Sequence, residues 1–255
     1  MRNILAIAGK ELRQFFGGAV AYVVMTAFFM LTGFFFYDMI MSYNRYIGYA
    51  QMQPMYMQQL NINDMIVTPL FQNINVILLL IVPLITMRLF AEERNQGTDE
   101  LLLTSPVSIG QIVTGKLLSA LAFYALLLVM TFVYPAILAK YAMPDLGKLI
   151  TGYVGLLLMG ACFISFGLFA STLTRSQLVA AITSFAVLLV FWILGWIAES
   201  QPGIVGEVMR YLAMTEHFER FGQGVIELSD VTYFISFILF FWFLATRAVE
   251  STRWR

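Results

Sequence analysis

The sequence predicts an all-α polytopic membrane protein with six transmembrane helices. Three observations lead there: charge is scarce, six apolar runs approach membrane-spanning length, and the remaining charges are unevenly placed. Of the 255 residues, 60% are hydrophobic and 12% charged, and the mean hydropathy is +0.80. Soluble domains carry about 25% charged residues, enough to cover a surface that meets water. About half that charge excludes a soluble globular enzyme, a disordered chain and a basic nucleic-acid binder. Cys162 is the only cysteine, which excludes a disulfide framework and a cysteine zinc site. Within its apolar run it reads as a small packing residue.

Crossing about 30 Å of hydrocarbon at 1.5 Å per residue takes about 20 mostly apolar residues. The expected spans are 19–37, 69–87, 117–138, 149–173, 179–197 and 231–246, and they form one domain over 1–255. Ahead of the first, residues 2–16 read as an amphipathic helix lying along the interface. Leu5, Ala8, Leu12, Phe15 and Phe16 fall at helical spacing, with Lys10, Arg13 and Gln14 elsewhere. The apolar run of the first span is too long for a cleavable signal peptide, and no small-residue cleavage site follows it. Thr68-Pro69 reads as the N-cap and first residue of the second span. Pro83 and Pro135 are expected to kink the second and third spans. In the fourth, Gly152, Gly155, Gly160, Gly167 and Ser171 offer small faces for close helix packing.

Six spans place both termini on one side, and the Lys/Arg balance chooses the cytoplasm. Arg2, Lys10, Arg13, Arg88, Arg94, Lys116, Arg175, Arg247, Arg253 and Arg255 share the terminal side, against Arg45, Lys140, Lys148, Arg210 and Arg220 on the other. The acidic residues are biased the opposite way. A total of 15 basic and 15 acidic residues therefore hides a positive cytoplasmic face and a negative outer one. No Asp, Glu, Lys, Arg or His falls inside the spans as drawn. This argues against an ion-coupled transporter, which needs groups that bind and release the coupling charge, and against an intramembrane enzyme, which needs a nucleophile with a base, or a metal pair. Energy for uphill transport would have to enter at a cytoplasmic surface.

The loop between the second and third spans reads MRLFAEERNQGTDELLLTSPVS from Met87 to Ser108. The second helix is expected to run on through Glu92, Glu93 and Arg94 to a stop at Gly97. Thr98 caps a short helix with Asp99 and Glu100 in its first turn, which suits a helix N-terminus. Leu101, Leu102 and Leu103 give it an apolar face, and Thr104 precedes the break at Pro106. Ser108 with Gln111 then forms a capping box for the third span. Gly110 to Lys116 matches the spacing of a phosphate-binding loop, but Leu117 replaces the magnesium-binding hydroxyl and no strand precedes it. Lys116 is expected to snorkel at the interface.

Two other features read as structural. Met52, Met55 and Met57 suit Cu(I), yet with Tyr43, Tyr46, Tyr49 and Tyr56 interleaved the external loop reads better as an interfacial amphipathic helix. His217 is the only histidine, so no histidine metal cluster is possible, and it reads as a packing or interfacial residue.

The loop motif resembles the second cytoplasmic segment of type-2 ABC exporter permeases. His217 to Trp254, HFERFGQGVIELSDVTYFISFILFFWFLATRAVESTRW, resembles the gliding-motility-associated subgroup, close to permeases of copper-enzyme maturation systems. The resemblance implies that Thr98 to Thr104 form the coupling helix, seated in an ATPase cleft, with Glu92, Glu93 and Arg94 leading to it. It implies that the N-terminal helix, through Leu5, Lys10, Leu12, Arg13 and Phe16, is the connecting helix. A re-entrant segment between the last two spans would include Pro202, Gly203, Glu216, His217 and Glu219, with breaks at Pro202-Gly203 and Gly222-Gln223-Gly224. The implied partners are two ABC ATPase subunits, which hold ATP and magnesium, a second permease copy or a homologue meeting it through the first and fifth spans, membrane lipid and room for an extracytoplasmic auxiliary subunit. The protein itself is expected to bind no cofactor and catalyse nothing, to bind no nucleic acid, and to lie in a bacterial inner membrane. The implied function is export coupled to ATP hydrolysis; the alternative is a scaffold that transmits mechanical work without passing a substrate.

Overall fold

A computed structural model of the protein describes residues 2–52, 61–98 and 107–253. The described residues are helical with short connections, and six helical stretches among them are long and apolar enough to cross a membrane. The amphipathic helix α1 (Arg2–Gly17) leads into α2 (Ala19–Met52). A π-helical turn, Asn63–Val67, runs into α3 (Thr68–Thr86) and then α4 (Arg88–Gln96), completing the second span. The third is α5 (Ile109–Thr131) continued by α6 (Val133–Tyr141). Next come α7 (Leu146–Leu173) and α8 (Gln177–Glu199), two short helices α9 (Ile204–Leu212) and α10 (Met214–Gly222), and the last span, α11 (Leu228–Arg253).

The observed helices outrun the expected spans, because a helix continues past the apolar run while its backbone hydrogen bonds remain available. The first reaches Met52, so Asp38 to Met52 extend the spanning helix rather than forming a separate interfacial one; Met55 and Met57 lie outside the described residues. Thr68 does not cap the second span: it is itself helical, and its N–H bonds to the Asn63 carbonyl five residues back. Its hydroxyl donates instead to the Gly222 carbonyl at 3.4 Å. Pro83 sits within an unbroken α3. The third span does break, at Phe132, just before Pro135, whose missing N–H would leave the Thr131 carbonyl without its helical partner. Gly97 ends α4 in the left-handed region at φ 68°, and Ser108 Oγ accepts from the Gln111 N–H at 3.4 Å to cap α5. Both ends lie where the sequence placed them.

The second and fourth spans form the centre. Their apolar windows are 72% and 78% buried, against 28% for α2 and α8 and 33% for α11. Small residues on α7 make this possible by admitting bulky side chains from its neighbours. A methyl added at Gly160 would lie 2.2 Å from the Tyr124 ring of α5, and one at Gly152 would lie 2.2 Å from the Phe71 ring of α3. Gly155 receives Phe221 of α10, and Gly167 receives Thr86 of α3. Lipid tails are as apolar as leucine, so close van der Waals packing of this kind, rather than water exclusion, holds membrane helices together. Cys162 is buried in the same helix, its thiol 3.4 Å from the Phe234 carbonyl.

Candidate functional site

At the end of the bundle near the termini, three remote segments converge beside the end of α4. One face of α1 carries Ile4, Ile7, Glu11 and Phe15. Ile7 packs on Gly115 of α5 so closely that a methyl there would lie 2.8 Å from its side chain. Phe15 stacks on Phe123 of α5, with ring centroids 5.4 Å apart. These contacts press Glu11 inward, where its Oε1 meets the Lys116 ammonium at 2.9 Å. Glu93 of α4 reaches the same ammonium at 3.0 Å, and the Phe90 ring centroid is 5.1 Å away. Lys116 is 1% exposed. It does not snorkel: two carboxylates and an aromatic face replace the water it would otherwise seek. Two negative charges face one positive, and Glu93 Oε2 is buried without a hydrogen-bond partner.

Further contacts fix α4. Arg88 pairs with Glu92 one turn on, at 2.9 Å, and Arg94 donates to the Thr172 carbonyl at the end of α7. A cleft of about 380 Å³ lies against this junction, lined by Lys10, Gln14, Glu92, Gln96 and Thr98 among others. Of the expected site residues, Glu92, Glu93 and Arg94 thus lie together on the helical continuation, half-buried. Lys10 and Arg13 are exposed, Leu12 and Phe16 half-buried, and Leu5 is exposed. Asp99, Glu100, Leu101, Leu102, Leu103 and Thr104 lie outside the described residues. Sequence reasoning missed Glu11 and Lys116 as a joined pair. A signal for Glu11 existed: it occupies the stripe 4, 7, 11, 15 that turns one face of α1 to the bundle. Gly110 to Lys116 form no phosphate cradle, because from Gly110 onward they are α5 and the lysine is committed to carboxylates.

At the opposite end, Pro202 and Gly203 lie between α8 and α9, Gly203 at φ 84°, and Gly224 follows α10 at φ 94°. His217 of α10 is buried, stacked on Tyr233 with centroids 4.0 Å apart. Its Nε2 donates to the Tyr211 carbonyl at 2.9 Å, and its Nδ1 lies 2.7 Å from Asp230 Oδ1. Asp230 is fully buried, with Arg220 3.4 Å away. Glu216 and Glu219 lie on α10 away from this pair. Among the described residues, no group of three His, Cys, Asp or Glu side chains is arranged to hold a metal ion.

Residues 5–249 match the model of a family described as ABC-2 family transporter proteins. The chain is also similar to the probable multidrug ABC transporter permease YbhR of Escherichia coli, in strain K12 and in O157:H7. In each it is 34% identical over 112 residues, covering 42% of this chain and 29% of the relative. The match therefore spans under a third of those relatives' length. With six bilayer-crossing helices and a family match over nearly all of its residues, the chain is a multi-pass membrane protein that belongs to the ABC-2 family of transporter proteins.

Proposed function

We propose that the chain is the non-catalytic permease subunit of an ABC exporter, working with two ATPase subunits that hold ATP and magnesium and with a second permease copy or a homologue. The observation that carries this reading is the Glu11–Lys116–Glu93 junction. It fastens α1, α4 and α5 into one unit, so a push on the loop after Gly97 is delivered to the second and third spans together. Thr98 to Thr104 are the coupling helix in this reading, and Lys10 and Arg13, exposed on α1, are the connecting-helix groups that face an ATPase. The Lys/Arg asymmetry supports cytoplasmic termini and an inner membrane. Poorly buried α2 and α8 suit contact with the second permease. Gln201 to Glu227 are the re-entrant segment in this reading. The likeness of His217 to Trp254 to gliding-motility-associated permeases supports a variant in which the cycle does mechanical work outside the membrane.

The test is co-purification with an ATPase encoded beside this chain. Leu102→Asp, or Glu100→Lys, is expected to abolish ATPase recovery while membrane insertion is unchanged; unchanged recovery overturns the assignment. Substrate-stimulated ATP hydrolysis and vesicle transport then separate export from mechanical work.

A further inference from the structure

A second cavity, of about 330 Å³, opens at the end opposite the termini between α3, α8 and α10. We infer that it binds an amphipathic organic cation, which deepens the exporter reading and rests on it by naming the class of substrate. Four observations carry the inference. Trp192 and Trp196 form one wall as an edge-to-face pair, centroids 4.8 Å apart. Glu199, Glu216 and Glu219 line the same cavity, no Lys, Arg or His does, and none of the three carboxylates has an ion-pair partner among the described residues. Asn75, also lining it, is 2% exposed and its Oδ1 has no hydrogen-bond partner. Finally, Val76, Leu80 and Leu84, at successive helical turns of α3, leave the cavity as an exposed apolar stripe.

The chemistry follows from these neighbours. Uncompensated carboxylates repel anions and attract a cation, and indole faces add cation–π attraction that is strongest for diffuse, weakly hydrated charge. Among the described residues no group is arranged to hold a metal ion, and the indole wall favours an organic cation of diffuse charge. An orphaned amide oxygen at membrane depth is costly, and an N–H or hydroxyl donor on the ligand satisfies it. The apolar stripe on α3 takes the ligand's hydrocarbon body. Either a free lipophilic cation or the ammonium headgroup of a lipid has this chemistry.

The experiment is equilibrium dialysis of the full chain in detergent, without any ATPase, using radiolabelled tetraphenylphosphonium and its anionic counterpart tetraphenylborate. Saturable binding of the cation alone is expected, and Glu199→Gln with Glu216→Gln should weaken it about tenfold. Trp196→Leu, at a side chain 61% exposed and so free of any core role, should weaken it several-fold. Displacement by short-chain phosphatidylethanolamine identifies a lipid headgroup as the source, and its failure to displace identifies a free cation. Equal binding of the two probes, or wild-type affinity in both variants, overturns the inference. Because no ATPase is present, that failure is distinct from a failure of the exporter reading, which co-purification detects.

Discussion

Near the termini, Lys116 is held by Glu11 and Glu93, with 105 residues separating Lys116 from Glu11; at the opposite end, the buried pair His217 and Asp230 is separated by 13. The first cluster exists only once α1 has docked on α5 and α4 has returned beside them. The second forms as soon as α10 turns into α11. Both leave one carboxylate oxygen buried and unpartnered, Glu93 Oε2 and Asp230 Oδ2. Yet the lysine is 1% exposed between two carboxylates, whereas Asp230 has the half-exposed Arg220 guanidinium beside it. The near cluster reports on tertiary assembly, and the far one on a local joint.

This difference is open to attack in order of expected effect. Lys116→Met leaves two carboxylates facing each other without a counter-charge, and should cost about 3–5 kcal/mol of stability. The folded fraction and unfolding midpoint in detergent measure it, and adding Glu11→Gln and Glu93→Gln should recover most of the loss. A smaller deficit, about 1.5–3 kcal/mol, is expected for Asp230→Asn, which keeps the shape but loses the charged hydrogen bond to His217. If its unfolding midpoint falls as far as that of Lys116→Met, the distinction between an assembled and a local cluster fails. At the bottom of the scale, Lys148→Ala removes a 2.8 Å pair with Asp64, whose side chain is 60% exposed, and should cost less than about 1 kcal/mol in the same assay.

The six spans were legible because hydropathy over about 20 residues is decided locally. Helix ends were legible where one residue fixes them, as at Gly97 and Ser108. Thr68 misled for the same reason: Thr-Pro is a sound local cap signal, but the π-helical turn before it keeps the chain helical. The ion cluster was out of reach, since nothing in the neighbourhood of residue 116 names a partner at residue 11. Placed at the edge of an apolar run, Lys116 reads as a group that escapes to water, and only the docking of α1 reverses that. The loop segment 99–104 rests on its sequence alone.

The glycine notches of α7 have a mechanical consequence. They hold Phe71, Phe221, Tyr124 and Thr86 at four heights, from residue 152 to residue 167, over about 22 Å of axis at 1.5 Å per residue. Pegs seated at several heights block sliding along a shaft far more than they block turning about it. Movement of α3, α5 and α10 around α7 is thereby steered towards rotation, and the fourth span acts as a spindle rather than a piston rod.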